Sequence, residues 1–276
     1  MSDHPASINS AGPPAEKPRL TIVVPTYNER ERIGSTVDRI SDFIQGQAFS
    51  TELLVVDDGS VDGTADLVES LRNGSRPPIG VIRNDHRGKA YTVRTGMLAA
   101  RGRYVLFSDA DLSTPIEEVS RFLPFLDQGY EVVIGSREAP GAKRFDEPLT
   151  RHVMGRIFTR LVQLITGQRF EDTQCGFKAF SRKAAQDIFS RVQLYGPNSP
   201  VIKRSRVTGF DVELLFLARK LGLRIREEPV RWYYSRGSKV DPLRDSIQNL
   251  LDVVKVRLYD LQGRYETPSP ATDALT

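Results

Sequence analysis

The amino-terminal half of the chain alternates short apolar runs, rich in valine and isoleucine, with longer segments whose apolar residues recur at helical spacing. The apolar runs occupy residues 19–25, 51–60, 79–85, 103–113 and 130–137. The helical segments between them occupy residues 31–46, 61–73, 89–102 and 116–129. Buried strands that alternate with helices predict an α/β fold with a mostly parallel sheet, because helices supply the crossover connections that parallel strands need.

The carboxyl-terminal half has a less regular pattern and shows no internal repeat of the first half. Its helical segments occupy residues 155–168, 209–222 and 241–262, and residues 223–235 have the pattern of a strand. The two ends of the chain, residues 1–17 and 266–276, are rich in small residues and proline and predict disordered tails. A single domain is therefore expected over residues 18–265.

Composition excludes several classes of protein. The one cysteine, Cys175, excludes an intrachain disulfide and favours a reducing compartment. The first residues lack the apolar segment of a signal peptide or anchor, and no run of 18 apolar residues occurs that would span a bilayer. These features predict a cytoplasmic protein without a membrane-spanning helix.

Polar clusters follow three of the predicted strands at the points where those strands end. The clusters are residues 26–29, 57–60 and 109–111. In a doubly wound sheet, ligands bind beyond the carboxyl ends of the strands. We therefore expect the three clusters to meet along one rim of the sheet and to form a ligand site.

Asp109 and Asp111 stand one residue apart directly after the fourth strand. Carboxylate oxygens are the ligands that Mg²⁺ and Mn²⁺ prefer, and these metals are commonly shared with the phosphates of a substrate. The pair therefore predicts a clamp for a metal-bound diphosphate. An aspartate at the end of a strand is also a common cap for the following helix, and this alternative stays open for either residue.

The cluster after the second strand combines a turn with two further acids. Capping and positive φ angles account for its glycines and for Asp62. They do not account for Asp57 and Asp58, whose carboxylates would accept hydrogen bonds from a nucleobase or a ribose. Tyr27, in the first cluster, has a ring that would stack on a base, although core packing is the alternative for this residue.

Charge is unevenly distributed along the chain. Residues 1–136 contain 14 Lys and Arg against 19 Asp and Glu, whereas residues 137–206 contain 14 against 6. A basic middle segment suits phosphate groups, an anionic membrane surface or nucleic acid, and a solvated basic face is the alternative. Because no nucleic-acid-binding motif accompanies these residues, we do not expect nucleic acid as a partner.

Eight stretches of the sequence occur in an order that is typical of one enzyme family. They are IVVPTYNERERI, LLVVDDGSVDGT, NDHRGKAYTVRTGM, YVLFSDADLSTP, VVIGSR, DTQCGFKAFSR, GFDVELL and PVRW followed by GSKV. Together they resemble the inverting glycosyltransferases of family 2, which have the Rossmann-like GT-A fold. The resemblance covers about residues 19–260 and is strongest to the dolichyl- or polyprenyl-phosphate β-glucosyltransferases, with the mannosyl-phosphate synthases next.

The resemblance implies a nucleotide-sugar donor half at about residues 18–136 and an acceptor half at about residues 137–265. The donor-binding residues that it implies are Pro25, Tyr27, Glu29, Asp57, Asp58, Lys89, Asp109, Ser238 and Lys239. Asp109 and Asp111 would hold Mg²⁺ or Mn²⁺, and Asp109, Asp111, Arg137 and Asp211 are the implied catalytic residues. The acceptor phosphate would contact Arg137, Arg151 and Lys178.

The nature of the acceptor decides whether the reaction needs a base. A phosphate monoester has a second pKa of about 6 and is largely dianionic at neutral pH, so it would attack a sugar without a general base. A hydroxyl acceptor would need one, and Asp211 is then the candidate, with a helix amino terminus as its structural alternative. The expected reaction is glucosyl transfer from UDP-glucose to a polyprenyl or dolichyl phosphate.

Three alternatives to this reaction stay open. In the first, the protein transfers mannose from GDP-mannose to the same lipid phosphate. In the second, it is a family 2 transferase that acts on a hydroxyl of a glycan or small molecule. In the third, it binds a sugar nucleotide without turnover. The lipid acceptor also predicts a peripheral contact with the inner face of the membrane. The amphipathic segments 153–166 and 241–262 would supply it, unless they pack on the sheet instead.

Overall fold

The computed structural model describes residues 17–72, 77–202, 209–234 and 242–266, without the side chains of residues 149–151 and 242–246. The predicted disordered tails, residues 1–17 and 266–276, lie almost wholly outside the described residues. Strands from both predicted halves of the chain belong to one central sheet.

The strands of the described residues are β1 Leu20–Thr26, β2 Thr51–Asp57, β3 Ile79–Arg83, β4 Tyr104–Ser108, β5 Val132–Ser136, β6 Lys143–Phe145, β7 Phe177–Ser181, β8 Ile225–Pro229 and β9 Arg231–Tyr233. The α-helices are α1 Arg30–Gln45, α2 Thr64–Arg72, α3 Lys89–Ala99, α4 Val119–Asp127, α5 Leu149–Thr166, α6 Arg182–Phe189, α7 Phe210–Lys220 and α8 Pro242–Leu261. A short 3₁₀ helix, Ile116–Glu118, leads into α4.

The main sheet has seven strands in the order β3-β2-β1-β4-β7-β5-β8. All neighbouring pairs are parallel except those of β7, which runs antiparallel to both β4 and β5. The predicted mostly parallel α/β fold is confirmed. A separate two-stranded parallel sheet, formed by β6 and β9, belongs to the carboxyl-terminal extension.

Apolar layers cover both faces of the main sheet. Leu20, Ile22 and Val24 of β1 pack into one layer with α1 and α4, whereas Val23 packs into the other layer with α3, α6 and α7. This division follows from the alternation of side chains along a strand. The strands are apolar throughout because helices bury both faces of the sheet.

Sequence patterns did not predict strand β7 of the main sheet or strand β6 of the small sheet. Strand β7 passes directly into α6 at Ser181, whose hydroxyl accepts a hydrogen bond from Ala184 N, so no turn residues mark the boundary. Strand β6 has only three residues. The prediction of one strand over residues 223–235 is wrong, because the chain pairs with β5 only as far as Val230, whose N–H donates to Ser136 O, and then forms β9, which pairs with β6 instead.

No helix in the described part of the chain is long and apolar enough to cross a membrane.

Candidate active site

Residues from all three predicted polar clusters line one cleft at the carboxyl ends of β1, β2 and β4. The lining residues are Pro25, Thr26, Tyr27, Glu29, Arg32, Asp58, His86, Gly88, Lys89, Thr92, Asp109, Ala110 and Asp111. The cleft therefore lies where a doubly wound sheet places its ligands. Within it, Glu29 forms an ion pair with Arg32, with 2.8 Å between the carboxylate and Nε.

Asp57 and Asp58 are both buried but have different partners. The Asp57 carboxylate accepts hydrogen bonds from the backbone N–H and the hydroxyl of Ser60 and from the hydroxyl of Thr26. Asp57 therefore stabilises the turn after β2, a role that its position in the sequence did not indicate. A direct contact of Asp57 with the donor stays a prediction.

Asp58 holds the loop that leads into α3. Its carboxylate accepts hydrogen bonds from the backbone N–H groups of Arg87 and Gly88, each at 2.8 Å, and lies 2.7 Å from His86 Nδ1. Gly88 has a φ of +97°, a conformation that favours glycine. Asp58 thus fixes the wall of the cleft from which Lys89 extends.

His86 is a cleft residue that sequence patterns did not assign to the site. Its ring stacks on Tyr27 with 3.8 Å between ring centroids and 3° between planes. Its Nε2 is buried and has no hydrogen-bond partner among the described residues. The ring of Tyr27, which was predicted to stack on a base, therefore stacks on the ring of His86. Nε2 of the same histidine has no hydrogen-bond partner in the described part of the protein.

The two aspartates after β4 differ in their contacts. Asp109 Oδ1 lies 2.5 Å from Lys89 Nζ, and both side chains are about two-fifths exposed. Asp111 is exposed, and its carboxylate accepts hydrogen bonds from the backbone N–H and the hydroxyl of Ser113. Asp111 therefore also stabilises the turn that follows it, while keeping its carboxylate at the cleft.

Gly176 of the CGFK stretch leaves the space in which the Asp109 carboxylate lies. A Cβ atom on residue 176 would stand 2.1 Å from Asp109 Oδ2 and 2.5 Å from Cγ. No side chain fits there while Asp109 keeps this position. Sequence patterns missed this role, because it depends on β7 lying beside β4 in the sheet.

The charges of the cleft change the protonation of Lys89. Burial by itself would lower the pKa of Lys89, but the carboxylates of Asp109, Asp211 and Asp111 outweigh it and raise the pKa. Lys89 therefore remains an ammonium ion at neutral pH. Three carboxylates from two segments of the chain, residues 109–111 and residue 211, act on this one cation.

Lys178 and Asp211 form a buried ion pair behind the cleft. Lys178 Nζ lies 2.6 Å from Asp211 Oδ1, and the Lys178 side chain has no exposed surface. Burial raises the pKa of Asp211, although Lys178 and Lys89 act in the opposite direction. Because Lys178 already has a carboxylate partner, its predicted contact with an acceptor phosphate stays a prediction.

Arg137 is held by Asp172, the first residue of the DTQCGFKAFSR stretch, to which sequence analysis gave no role. Its Nε and one terminal nitrogen donate to the two oxygens of Asp172, at 2.6 and 2.9 Å, and its backbone N–H donates to the same carboxylate. Its guanidinium also lies 5.3 Å from the ring centroid of Trp232. Burial alone would lower the pKa of Arg137, but Asp172 raises it, and Arg137 correspondingly lowers the pKa of the buried Asp172.

The remaining predicted site residues are not covered by these contacts. Ser238 and Lys239 lie outside the described residues, and Arg151 lies in α5 with its side chain outside them. Their roles in donor and acceptor binding stay predictions.

The acids of the cleft suit a metal that is shared with a ligand. Among the side chains that the structure describes, no group of three or more His, Cys, Asp or Glu converges as a site built from protein alone would require. Of the four carboxylates that line the cleft, those of Asp109 and Asp111 stand one residue apart after β4. Such a pair fits Mg²⁺ or Mn²⁺ if water and the phosphates of a ligand supply the other oxygens.

Comparison with known proteins agrees with the fold and identifies the family. Residues 21–189 match the family described as Glycosyl transferase family 2. A relative from Dictyostelium discoideum, named dolichyl-phosphate beta-glucosyltransferase, is 34% identical over 275 residues, which cover 93% of this chain and 79% of the relative. The chain therefore belongs to glycosyltransferase family 2, and the resemblance seen in its motifs is confirmed.

Solved structures show the same fold at lower identity. Mannosyl-3-phosphoglycerate synthase from Rubrobacter xylanophilus superposes with a TM-score of 0.61 at 21% identity, covering 90% of this chain and 76% of that one. Glucosyl-3-phosphoglycerate synthase from Mycobacterium tuberculosis, in complex with Mn²⁺, UDP and glucosyl-3-phosphoglycerate, superposes with a TM-score of 0.55 at 20% identity, covering 93% and 82%.

Proposed function

We propose that this protein transfers glucose from UDP-glucose to the phosphate of a polyprenyl or dolichyl lipid, with inversion at the sugar carbon. The observation that carries the proposal is the pair of carboxylates, Asp109 and Asp111, in a cleft at the carboxyl ends of the strands. The relative from Dictyostelium discoideum supports glucose as the sugar and a lipid phosphate as the acceptor, because it is named dolichyl-phosphate beta-glucosyltransferase. Its similarity to this protein extends over most of both chains.

Asp109 and Asp111 would hold Mg²⁺ or Mn²⁺ together with the diphosphate of the donor. When bound, the metal would offset the negative charge that develops on the leaving diphosphate. The solved complex with Mn²⁺ and UDP from Mycobacterium tuberculosis supports a divalent metal in this fold. The ammonium group of Lys89 lies beside the same carboxylates and would contribute a second positive charge.

Tyr27, His86 and Asp58 would form the nucleoside end of the cleft. Tyr27 and His86 supply flat rings, and the unpartnered Nε2 of His86 supplies a polar atom for a base or ribose. Aromatic rings and a few placed polar atoms are what a pocket needs to orient such a ligand. Asp58 would act indirectly, because its hydrogen bonds position His86 and the backbone at Gly88.

The acids near the acceptor side support a phosphate acceptor over a hydroxyl. Asp211, the candidate base, forms an ion pair with Lys178, and this cation opposes the uptake of a proton by Asp211. A dianionic phosphate needs no base to attack. Arg137 would contact that phosphate through the nitrogen that Asp172 leaves available, because Asp172 uses only Nε and one terminal nitrogen.

The exposed apolar faces of α5 and α8 would rest on an anionic bilayer that holds the acceptor. Ten of the fourteen exposed large apolar residues in the described chain lie on these two helices: Val153, Met154, Ile157, Leu161 and Leu164 on α5, and Ile247, Leu251, Val254, Leu258 and Leu261 on α8. The helices pack on each other through Val162 and Val253, on their inner sides. Exposed Arg156, Arg160 and Lys255 add positive charge that complements anionic lipids.

A transfer assay with defined substrates tests the reaction. Purified protein is incubated with Mn²⁺, labelled UDP-glucose and a polyprenyl phosphate, and we expect an acid-labile product in the lipid extract. Labelled product from GDP-mannose alone would replace glucose by mannose in the proposal. Product only with a hydroxyl acceptor, or no product from either donor, would contradict it.

Vesicle flotation tests the membrane contact with a matched pair of variants. Leu164→Glu places a charge on the α5 face, and Val61→Glu places one at an equally exposed apolar residue elsewhere. We expect wild-type protein and the Val61→Glu variant to float with anionic vesicles at low salt, and the Leu164→Glu variant to float less. Equal flotation of all three proteins, or none, would contradict a docking role for these helices.

A further inference from the structure

The Lys89–Asp109 ion pair occupies the carboxylate that the proposed metal site needs. Lys89 Nζ lies 2.5 Å from Asp109 Oδ1, the distance of a close ion pair, and Oδ1 is buried and has no hydrogen bond of ordinary geometry among the described residues. The other oxygen, Oδ2, faces Gly176 so closely that a Cβ atom there would stand 2.1 Å away. The Asp109 carboxylate is therefore confined between Gly176 and Lys89, and Oδ1 already has a cation.

The position of Lys89 in its helix is unfavourable apart from this ion pair. Lys89 is the first residue of α3, and the first turn of α3 contains no acid. The positive end of the helix dipole lies there and favours acids over cations. A lysine at this point therefore gains its stabilisation from the carboxylates of the cleft, and Asp109 is the one in direct contact.

The charges that act on Lys89 indicate what would draw it away from Asp109. Asp109, Asp111 and Asp211 carry three negative charges, and Lys89 and Lys178 carry two positive charges, of which that of Lys178 lies on Asp211. A divalent cation that bound Asp109 without a phosphate ligand would displace the ammonium group of Lys89, and Lys89 would then lose its anionic partner without gaining another. A diphosphate that arrives with the cation offers Lys89 an anionic partner at the same place.

We propose that Lys89 is a resident counter-cation of Asp109 that keeps the divalent metal out of the nucleotide-free cleft and couples metal binding to binding of a nucleoside diphosphate. This inference rests on the proposed function, since it takes the diphosphate to be the ligand of the cleft. Lys89 is then a positioning residue, because it sets the availability of Asp109 and moves to the diphosphate when the ligand is bound.

Mn²⁺ binding measured by electron paramagnetic resonance, with and without UDP, tests the proposal. In wild-type protein we expect weak Mn²⁺ binding that UDP strengthens by about tenfold or more, a usual size for coupling between two ligands. In the Lys89→Met variant we expect Mn²⁺ to bind the nucleotide-free protein about tenfold more tightly than in wild type. UDP should then add little to the Mn²⁺ affinity of that variant.

Two controls separate a cation effect from a change in structure. Lys89→Arg keeps the positive charge and should keep the wild-type dependence on UDP. Lys220→Met removes a lysine that pairs with Asp260 and Glu266 on the surface, away from the cleft residues, and should leave both Mn²⁺ affinities unchanged. Thermal melting of each variant establishes that the protein is folded.

The outcomes distinguish this inference from the proposed function. If Lys89→Met leaves the Mn²⁺ affinity of the nucleotide-free protein unchanged, lowers it, or shows no Mn²⁺ binding, the counter-cation role is overturned. If UDP does not bind wild-type protein with Mn²⁺ present, the proposed function fails. In that case the nucleotide-free comparison of wild type with Lys89→Met still decides whether Lys89 competes with the metal.

Discussion

The proposed donor side of the cleft, formed within residues 18–136, and the proposed acceptor side, formed within residues 137–265, differ in the main partners of their charged residues. On the donor side, carboxylates accept hydrogen bonds from nearby backbone N–H groups, as Asp57 does from Ser60 and Asp111 does from Ser113. On the acceptor side, cations pair with buried acids from distant segments. Arg137 pairs with Asp172, which lies 35 residues further along the chain.

This difference shows that the net charge of a segment, counted from its sequence, does not tell how many of its cations lack an acidic partner in the fold. Residues 137–206 have 14 Lys and Arg against 6 Asp and Glu, which favoured a basic surface for phosphates. In the structure, Lys178 is neutralised by Asp211, and Arg144 lies between Glu138 and Glu147. The cations of the motifs are positioned by acids, whereas exposed residues such as Arg160 and Arg169 carry the surplus.

The largest effect is expected on the donor side, from Asp111→Ala. Asp111 is exposed, so folding should survive, while loss of one of two carboxylates should reduce transfer by about 10³-fold. Kinetics and Mn²⁺-dependent UDP binding measure the effect, and the thermal melting temperature measures folding. Unchanged metal dependence would show that Asp111 serves only the turn with Ser113.

On the acceptor side, Asp172→Asn should act on stability first. Removal of the negative charge leaves the largely buried Arg137 without its ion-pair partner, which costs about 3 kcal/mol of unfolding free energy. Denaturant unfolding measures this loss. The double variant Arg137→Met with Asp172→Asn should recover part of the stability, and a purely additive loss would show that the two residues do not depend on each other.

Gly176→Ala links the two sides, because Gly176 lies on the acceptor-side stretch and faces the donor-side Asp109. The added methyl group should displace the Asp109 carboxylate and lower Mn²⁺-dependent UDP affinity by about a hundredfold. Gly155→Ala is the matched control, because a Cβ atom there meets nothing within 4 Å. Equal UDP affinities of the two variants would contradict the steric role of Gly176.

The smallest effect concerns Glu213, a buried acid behind the acceptor side. It accepts hydrogen bonds from Gln193 N, Leu194 N and the Tyr265 hydroxyl, and burial raises its pKa to about 7. The folded protein therefore binds this proton more tightly than the unfolded chain does.

Because of that raised pKa, the stability that Glu213 contributes is present at low pH and is lost as the pH rises through about 7. Between pH 5 and pH 8, wild-type protein should lose about 2 kcal/mol of unfolding free energy relative to the Glu213→Gln variant, which does not titrate. Urea unfolding of both proteins at several pH values measures this. Parallel pH profiles would show that Glu213 has an ordinary pKa.

Local patterns were enough to predict the donor side. Each of its clusters directly follows a strand with a clear apolar pattern, so the rim containing Tyr27, Asp58 and Asp109 is predictable from residues that are close along the chain. The partners of these residues were less predictable. His86 and Lys89 reach the rim from the loop before α3 and from its first residue, and nothing in their local sequence indicates which carboxylate each one contacts.

The acceptor side was predicted from family motifs and not from local patterns. Strand β7 has no turn at its end and runs against its neighbours, so no periodic signal marks its place between β4 and β5. Without that placement, the closeness of Gly176 to Asp109 and of Lys178 to Asp211 could not be inferred. The pairing of Asp172, in the DTQCGFKAFSR stretch, with Arg137 was not predicted for the same reason.

The sequence by itself determined the class of fold, the rim of the sheet at which the polar clusters meet and the membership of glycosyltransferase family 2. Those features depend on residues that are close along the chain, namely apolar periodicity and the polar residues that end each strand. Only the tertiary structure decided that Lys89 neutralises Asp109, that Asp172 holds Arg137 and that Lys178 is buried. Ion pairs between distant segments depend on how strands are ordered in the sheet, and spacing along the chain carries no record of that order.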